Sequence, residues 1–255
     1  MAEPSRIEVV VDRLRAAGCV AAEEEAAELL AADPDDRTLE MWLRRREQGE
    51  PLAWIVRATT FGGLRLAIRP GVYVPRPQSE VLAHRAAAAL PPGGRAVDVG
   101  TGSGAVAAVL AATVPTALVV GIDLSPVAVA CARTNGVQAL VADLAALPLG
   151  PASVDLVTSV APYVPTDALR LLPADVQRHE PRTALDGGPD GLDLVRTVVR
   201  SAATVLRPGG RLLVEVGGDQ DDRLAPDLAE AGFGAVVTWT DDDGDLRGLE
   251  ATRAG

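Results

Sequence analysis

Lysine is absent from this 255-residue chain, so its 24 cationic side chains are all arginines, set against 35 acids for a formal charge of −11. Without a cationic surplus there are few counterions to release, which argues against a protein held on nucleic acid by phosphate contacts. A local basic groove stays open. Aromatic residues make up 3% of the chain, too few for a platform that stacks single-stranded bases. The two cysteines, Cys19 and Cys131, lie far apart. One long-range disulfide is possible, and two free thiols in a reducing compartment is the favoured reading. His84 and His179 are the only histidines, and no CxxC or HxxxH spacing points to a metal.

Long apolar runs are also scarce. Ala105 to Ile122 is free of charge but broken by Thr113, Pro115, Thr116 and Gly121. A buried helix followed by a buried strand explains it better than a membrane span. The N-terminal stretch from Met1 to Leu14 carries charges where a signal peptide needs an apolar core. With 48% hydrophobic and 23% charged residues, the expectation is a globular, cytoplasmic protein with no membrane partner, no direct nucleic-acid partner and a monomeric state.

Residues 1–58 show helical spacing. Ile7, Val10, Val11 and Leu14 form one apolar stripe. Ala22, Ala26, Leu29 and Leu30 form a second, beside the acidic Glu23 to Glu25. Leu39, Trp42 and Leu43 form a third, after the breaker Asp33-Pro34-Asp35-Asp36. Arg44 to Arg46 reads as a solvated helix end or a docking patch. Residues 59–78 read as a β-hairpin linker, with Phe61-Gly62-Gly63-Leu64 at its turn and Pro75-Arg76-Pro77 stiffening its end. Ser79 is placed to cap a helix reaching Leu90.

From residue 79 to 255 the chain alternates. Ala96–Val99, Ala117–Ile122, Ala139–Val141, Val154–Thr158 and Leu212–Val216 read as strands buried on both faces. Helices are expected at Ala105–Ala112, Val127–Asn135 and Leu192–Leu206, the last stopped by Arg207-Pro208-Gly209-Gly210. Ala235–Trp239 and Leu246–Thr252 read as a terminal hairpin around Asp241–Asp245, an acidic turn that is solvated or, less favoured, holds a metal. The fold class is α/β: a Rossmann-like, mostly parallel sheet with a C-terminal antiparallel hairpin, plus a small N-terminal helical domain.

The most informative segment is Asp98-Val99-Gly100-Thr101-Gly102-Ser103-Gly104, where a first strand turns into a helix. Glycines permit the sharp turn and let a ligand approach the main chain. The next strand ends in Asp123, about 20 residues on, the distance at which an acid can accept from a ribose diol. Asp143, followed by Leu144, ends the third strand and can face an adenine edge. The glycines run GxGxG rather than GxGxxG. Asp98 would repel a pyrophosphate but suits a ligand with an ammonium. Together these features resemble the S-adenosylmethionine site of class I methyltransferases, a resemblance that implies Asp98, Gly100, Thr101, Gly102, Ser103, Gly104, Asp123, Asp143, Leu144 and Val160 as cofactor-binding residues.

Three further stretches carry a closer resemblance. They are Val74-Pro75-Arg76-Pro77-Gln78-Ser79-Glu80, then Val160-Ala161-Pro162-Tyr163, then His179-Glu180-Pro181-Arg182-Thr183-Ala184-Leu185-Asp186-Gly187-Gly188 with Asp190-Gly191-Leu192. In this order, over nearly the full length, they resemble the protein-(glutamine-N5) methyltransferases that modify release factors and a ribosomal protein. The resemblance implies a protein partner gripped by the helical domain, with methyl transfer at Val160, Ala161, Pro162 and Tyr163. That family carries Asn-Pro-Pro-Tyr there, and its asparagine accepts a hydrogen from the glutamine amide. Val160 cannot accept one. Three readings stay open: an altered acceptor, a weakened enzyme that still binds cofactor, or a changed asparagine in an otherwise active chain. His179 is a general base or, more in keeping with its Glu-Pro neighbours, a structural residue. Arg76 touches the cofactor carboxylate or a substrate, or forms a salt bridge that holds the linker. Trp42, Trp54 and Trp239 line a groove or pack the core.

Overall fold

The computed structural model describes residues 5–255; Met1–Pro4, the start of the charged stretch weighed as a signal peptide, lie outside the described residues. Ser5 caps α1 (Arg6–Ala16) through a reciprocal box with Glu8. α2 (Ala22–Ala31) follows, and Asp35 caps α3 (Asp36–Glu47) by accepting from Thr38 N at 2.7 Å. Val10, Val11, Leu14, Ala26, Leu29, Leu39 and Leu43 bury against one another. Burying each large aliphatic side chain contributes about 1.5–3 kcal/mol. Ile7 departs from its expected stripe and is exposed. In the arginine run Arg44 stays exposed as expected, and the departure is at Arg46. Arg46 donates to Glu25 of α2 at 2.6 and 3.0 Å, and both side chains are largely buried. It holds α3 to α2 instead of ending a solvated helix.

After α4 (Leu52–Ile55), strands β1 (Ala58–Phe61) and β2 (Leu64–Ala67) pair antiparallel. They turn on Gly62 and Gly63 at φ of +54° and +76°, the mirror-image turn that suits hairpin twist. The hairpin is shorter than the sequence suggests, and residues 68–76 run as an irregular linker. α5 (Glu80–Ala89) starts after Ser79, whose side chain makes no cap. Its hydroxyl is used elsewhere, as described below.

The main sheet is built from β3 (Arg95–Val99), α6 (Ala105–Thr113), β4 (Leu118–Asp123), α7 (Pro126–Thr134), β5 (Gln138–Val141), β6 (Val154–Ser159), α8 (Ala174–His179), α9 (Asp193–Val205), β7 (Leu206–Val214), α10 (Gln220–Glu230), β8 (Phe233–Thr240) and β9 (Leu246–Arg253). Its order is β5-β4-β3-β6-β7-β9-β8, parallel from β5 to β7 and antiparallel at β9 and β8. One face is covered by α5, α6 and α7 around Leu82, Leu110 and Val129. The other is covered by α9 and α10 around Val199, Leu212 and Leu224. Ala105–Ile122 is thus a buried helix and a strand. No helix among the described residues is long and apolar enough to cross a membrane.

Two expectations change here. β5 is the sheet edge, so Leu140 and Val141 are exposed and not buried on both faces. The breaker Arg207-Pro208-Gly209-Gly210 does not sit between α9 and its strand but inside β7, as a bulge. Leu206 already pairs with Val154, and Arg211 resumes the ladder at Leu156. Gly209, at φ +78°, accommodates the extra residues. Strand order reverses beside β3, the position where open α/β sheets leave a crevice at their carboxyl edge.

Candidate active site

The glycine loop is fixed by its own main chain. Gly100 N and Thr101 N both donate to Ile122 O, at 2.8 and 3.0 Å. Gly102 N donates to Asp123 Oδ2 at 2.8 Å. Gly102, at φ +56°, has only open space where a Cβ would stand, so a ligand can reach the backbone. Gly104, at φ +81°, serves packing instead: a Cβ would lie 3.0 Å from Ala132 and Val137.

Beneath the loop, Asp98 is buried and accepts from Thr101 Oγ1 at 2.6 Å and Thr158 Oγ1 at 2.8 Å. Burial pushes its carboxyl up to about 6 despite these hydrogen bonds. Both partners are neutral hydroxyls, so a cationic ligand above it would supply the missing counter-charge. Asp123 accepts from Gly102 N and Ser125 N, one on each oxygen at 2.8 Å. Each oxygen keeps a second lone pair for a ribose hydroxyl.

The loop opens on a cavity of about 830 Å³. Asp98, Gly100, Thr101, Gly102 and Ser103 line its floor, Asp123 and Leu144 one side, and Val160 and Pro162 the far end. Thr101 contributes main chain, since its hydroxyl points down to Asp98. Asp143 stands outside the wall: it is exposed and its Oδ1 accepts from Ala145 N at 2.8 Å. Ala142 and Leu144 form the wall there, an apolar surface suited to an aromatic base. Phe61 of the hairpin and Tyr73 of the linker cover the cavity. A buried acid bonded only to neutral hydroxyls, a strand-end acid for a diol and an apolar slot together fit S-adenosylmethionine.

A second cavity, of about 370 Å³, meets the first at Tyr73, Val160, Pro162 and Ala184. Arg76 and Gln78 of the linker form one wall, and Ala161 and Tyr163 the other. Val160 therefore stands between the two spaces and brings no polar atom beyond its backbone.

Several residues here escaped the sequence reading. Glu215, just past β7, is buried and accepts from Tyr163 OH at 2.6 Å and Ser79 Oγ at 2.5 Å. Gln78 Nε2 approaches the same carboxylate at 3.4 Å. Burial, reinforced by the negative Glu215, drives the Tyr163 phenol well above its ordinary range. Gln220 donates to Tyr163 O at 2.8 Å and Asp190 O at 3.2 Å. Asn135, the only asparagine in the chain, fastens the hairpin: it pairs with both Ala67 N and O and donates to Ser103 O at 2.8 Å. The available signals were an acid inside the apolar run Leu212–Val216 and a residue type used once.

The remaining candidates take structural places. Arg76 pairs with buried Glu180 and lies 5.0 Å over the Tyr73 ring, so it holds the linker while also walling the second cavity. His179 lines neither cavity; its Nε2 is 3.4 Å from Gln48 O and its ring meets Trp54 edge-on. Trp54 donates to Val72 O at 2.9 Å, Trp239 packs under Arg85, and Trp42 lies against the helical core. Asp241 folds its turn by accepting from Asp243 N, Asp245 N and Arg247. Cys19 and Cys131 are free thiols.

A crevice of this chemistry, on a parallel sheet ending in an antiparallel pair, defines the class I S-adenosylmethionine-dependent methyltransferases. A family model described as a methyltransferase domain matches residues 96–179. The chain is 38% identical to a release factor glutamine methyltransferase of Geobacter sulfurreducens, over 78% of this chain and 72% of the relative. It is 38% identical to another from Mycolicibacterium smegmatis, over 97% and 96%. A solved ribosomal protein L11 methylase of Lactobacillus delbrueckii subsp. bulgaricus shares the fold, with TM-score 0.54 and 18% identity over 74% of this chain and 84% of that one. The chain belongs to the release factor glutamine methyltransferase family.

Proposed function

We propose that this chain methylates the side-chain amide nitrogen of a glutamine in a protein, a release factor being the acceptor that its relatives' name suggests. The observation that carries this reading is the meeting of two cavities at Val160 and Pro162. One is suited to the cofactor, and the other is bounded by the Val160–Tyr163 loop. S-adenosylmethionine supplies an electrophilic methyl group when bound. Asp98 offsets its positive charge, Asp123 accepts from its sugar, and Phe61 and Tyr73 keep water from the site. At the acceptor, the main-chain carbonyls of Val160 and Ala161 take the amide hydrogens, and Tyr163 walls the pocket. Catalysis is then orientation and electrostatics, with no strong base required, because the proton leaves after attack.

In this reading residues 1–58 recognise the protein substrate, 59–78 form the linker over the site, and 79–255 carry the chemistry. The chain works as a monomer in the cytoplasm, without nucleic acid. Val160 favours one second reading, transfer to a different small-molecule or peptide acceptor, or impaired turnover, because one side-chain acceptor is missing. Incubation with methyl-labelled cofactor and a purified release factor decides between them. Label on a glutamine of the factor is the expected result. Label only on small molecules, or cofactor binding without transfer to any acceptor, defeats the first reading.

A further inference from the structure

We infer that Glu215 is a positioning residue that sets the gap between the two walls of the acceptor cavity; this rests on the reading above. Glu215 lines neither cavity. Its carboxylate nonetheless joins both walls of the smaller one. On the loop side it accepts from Tyr163 OH at 2.6 Å. On the linker side it accepts from Ser79 Oγ at 2.5 Å, with Gln78 Nε2 at 3.4 Å from the same group. Glu215 itself is rigidly placed: it is buried, and its backbone N extends the β6–β7 ladder by donating to Ser159 O at 3.1 Å. That bond ends one residue before Val160.

The opposite side of the loop is equally constrained. A Cβ on Gly187 would stand 2.7 Å from Pro162 O, and one on Gly191 would stand 2.2 Å from Tyr163 O. Gln220 holds Tyr163 O from the α10 side. The loop is thus clamped between glycine backbone and the Glu215 carboxylate. Val160 makes this clamp decisive. With no side-chain acceptor at position 160, the acceptor nitrogen is oriented by main-chain carbonyls alone. Their positions depend on whatever fixes Tyr163. A displacement near 1 Å at such a site costs up to about 100-fold in rate.

The test compares Glu215→Gln, which preserves volume, with Tyr163→Phe, which removes only the hydroxyl. Three quantities are read: kcat on a glutamine-bearing release factor, cofactor affinity by calorimetry, and the two tyrosine signals by 13C NMR. Each variant is expected to lower kcat about 10- to 100-fold, with cofactor affinity within about threefold. Tyr163→Phe should cost less than about twofold more in the Glu215→Gln background. Glu215→Gln should also shift the 13C resonance of Tyr163 at neutral pH, because its hydroxyl loses a charged acceptor. Unchanged kcat in both variants overturns the inference, as do fully multiplicative losses. If Glu215→Gln does not fold, Tyr163→Phe alone decides through kcat. A wild-type chain inactive on every glutamine acceptor defeats the reading above instead. The NMR measurement then still decides this one, since a Tyr163 signal indifferent to Glu215→Gln refutes the clamp.

Discussion

At the cofactor end of the site, Gly100, Thr101 and Gly102 hold their places through main-chain N–H groups bonded to Ile122 O and Asp123, all within two adjacent strand ends. At the acceptor end, Val160–Tyr163 is held by Glu215, Gln220, Gly187 and Gly191, drawn from well down the chain. The contrast teaches what each half of the site rests on. The cofactor cradle is set by main-chain bonds between neighbouring strand ends. The acceptor loop leans on distant support, and at its head Val160 brings no polar side chain to the cavity.

The comparison can be broken hardest at Asp123. Asp123→Ala removes the acceptor for Gly102 N and Ser125 N together with the proposed sugar contact. A hydrogen bond to a charged group contributes about 1.5–3 kcal/mol, so cofactor affinity should fall about 10- to 150-fold by calorimetry, with the acceptor loop untouched. An unchanged affinity would remove the cradle from the argument.

Val160→Asn probes the other end. Restoring one acceptor to a buried amide contributes about 1–3 kcal/mol, so kcat on a glutamine acceptor should rise about 5- to 150-fold while cofactor affinity holds. A fall in rate would mean that the pocket is fitted to an apolar wall and a different acceptor.

The smallest effect concerns pH. Asp98, raised to about 6 by burial, must ionise to face a cation. Cofactor affinity is therefore full above that value and is lost as pH falls through it, becoming about tenfold weaker at pH 5 than at pH 7. Asp98→Asn should flatten the profile. In the empty protein the sign is opposite: an acid with a raised value costs stability as pH climbs from about 4 through 6.

Much of the cradle was legible because glycine and aspartate at strand ends leave a local signature. Gly100, Gly102 and Gly104 all have positive φ, a demand that only a few residue types meet. Asp143 was less legible. An acid near a strand end was a fair candidate, but β5 stops at Val141, and in the irregular chain beyond it Ala142 and Leu144 take the wall while Asp143 is exposed. Ser79 misled for a similar reason. Its position suits a helix cap, yet the chain already turns helically over Pro77–Ser79, and the hydroxyl donates to the buried Glu215 instead. Arg46 looked like a solvated helix end until Glu25 came across from α2.

The sequence by itself determined the helical N-terminal segment, the alternation that makes a parallel sheet, the glycine turn with Asp98 and Asp123, and the family. These follow from periodicity, turn chemistry and contiguous motifs, which need no knowledge of distant neighbours. Only the tertiary structure decided that Glu215 joins Ser79 to Tyr163 and that Asn135 fastens the hairpin to the loop at Ser103. It also decided that β5 lies exposed at the edge. Those outcomes depend on which strands become neighbours, because a polar side chain that leaves water takes whatever partner the fold places within about 3 Å.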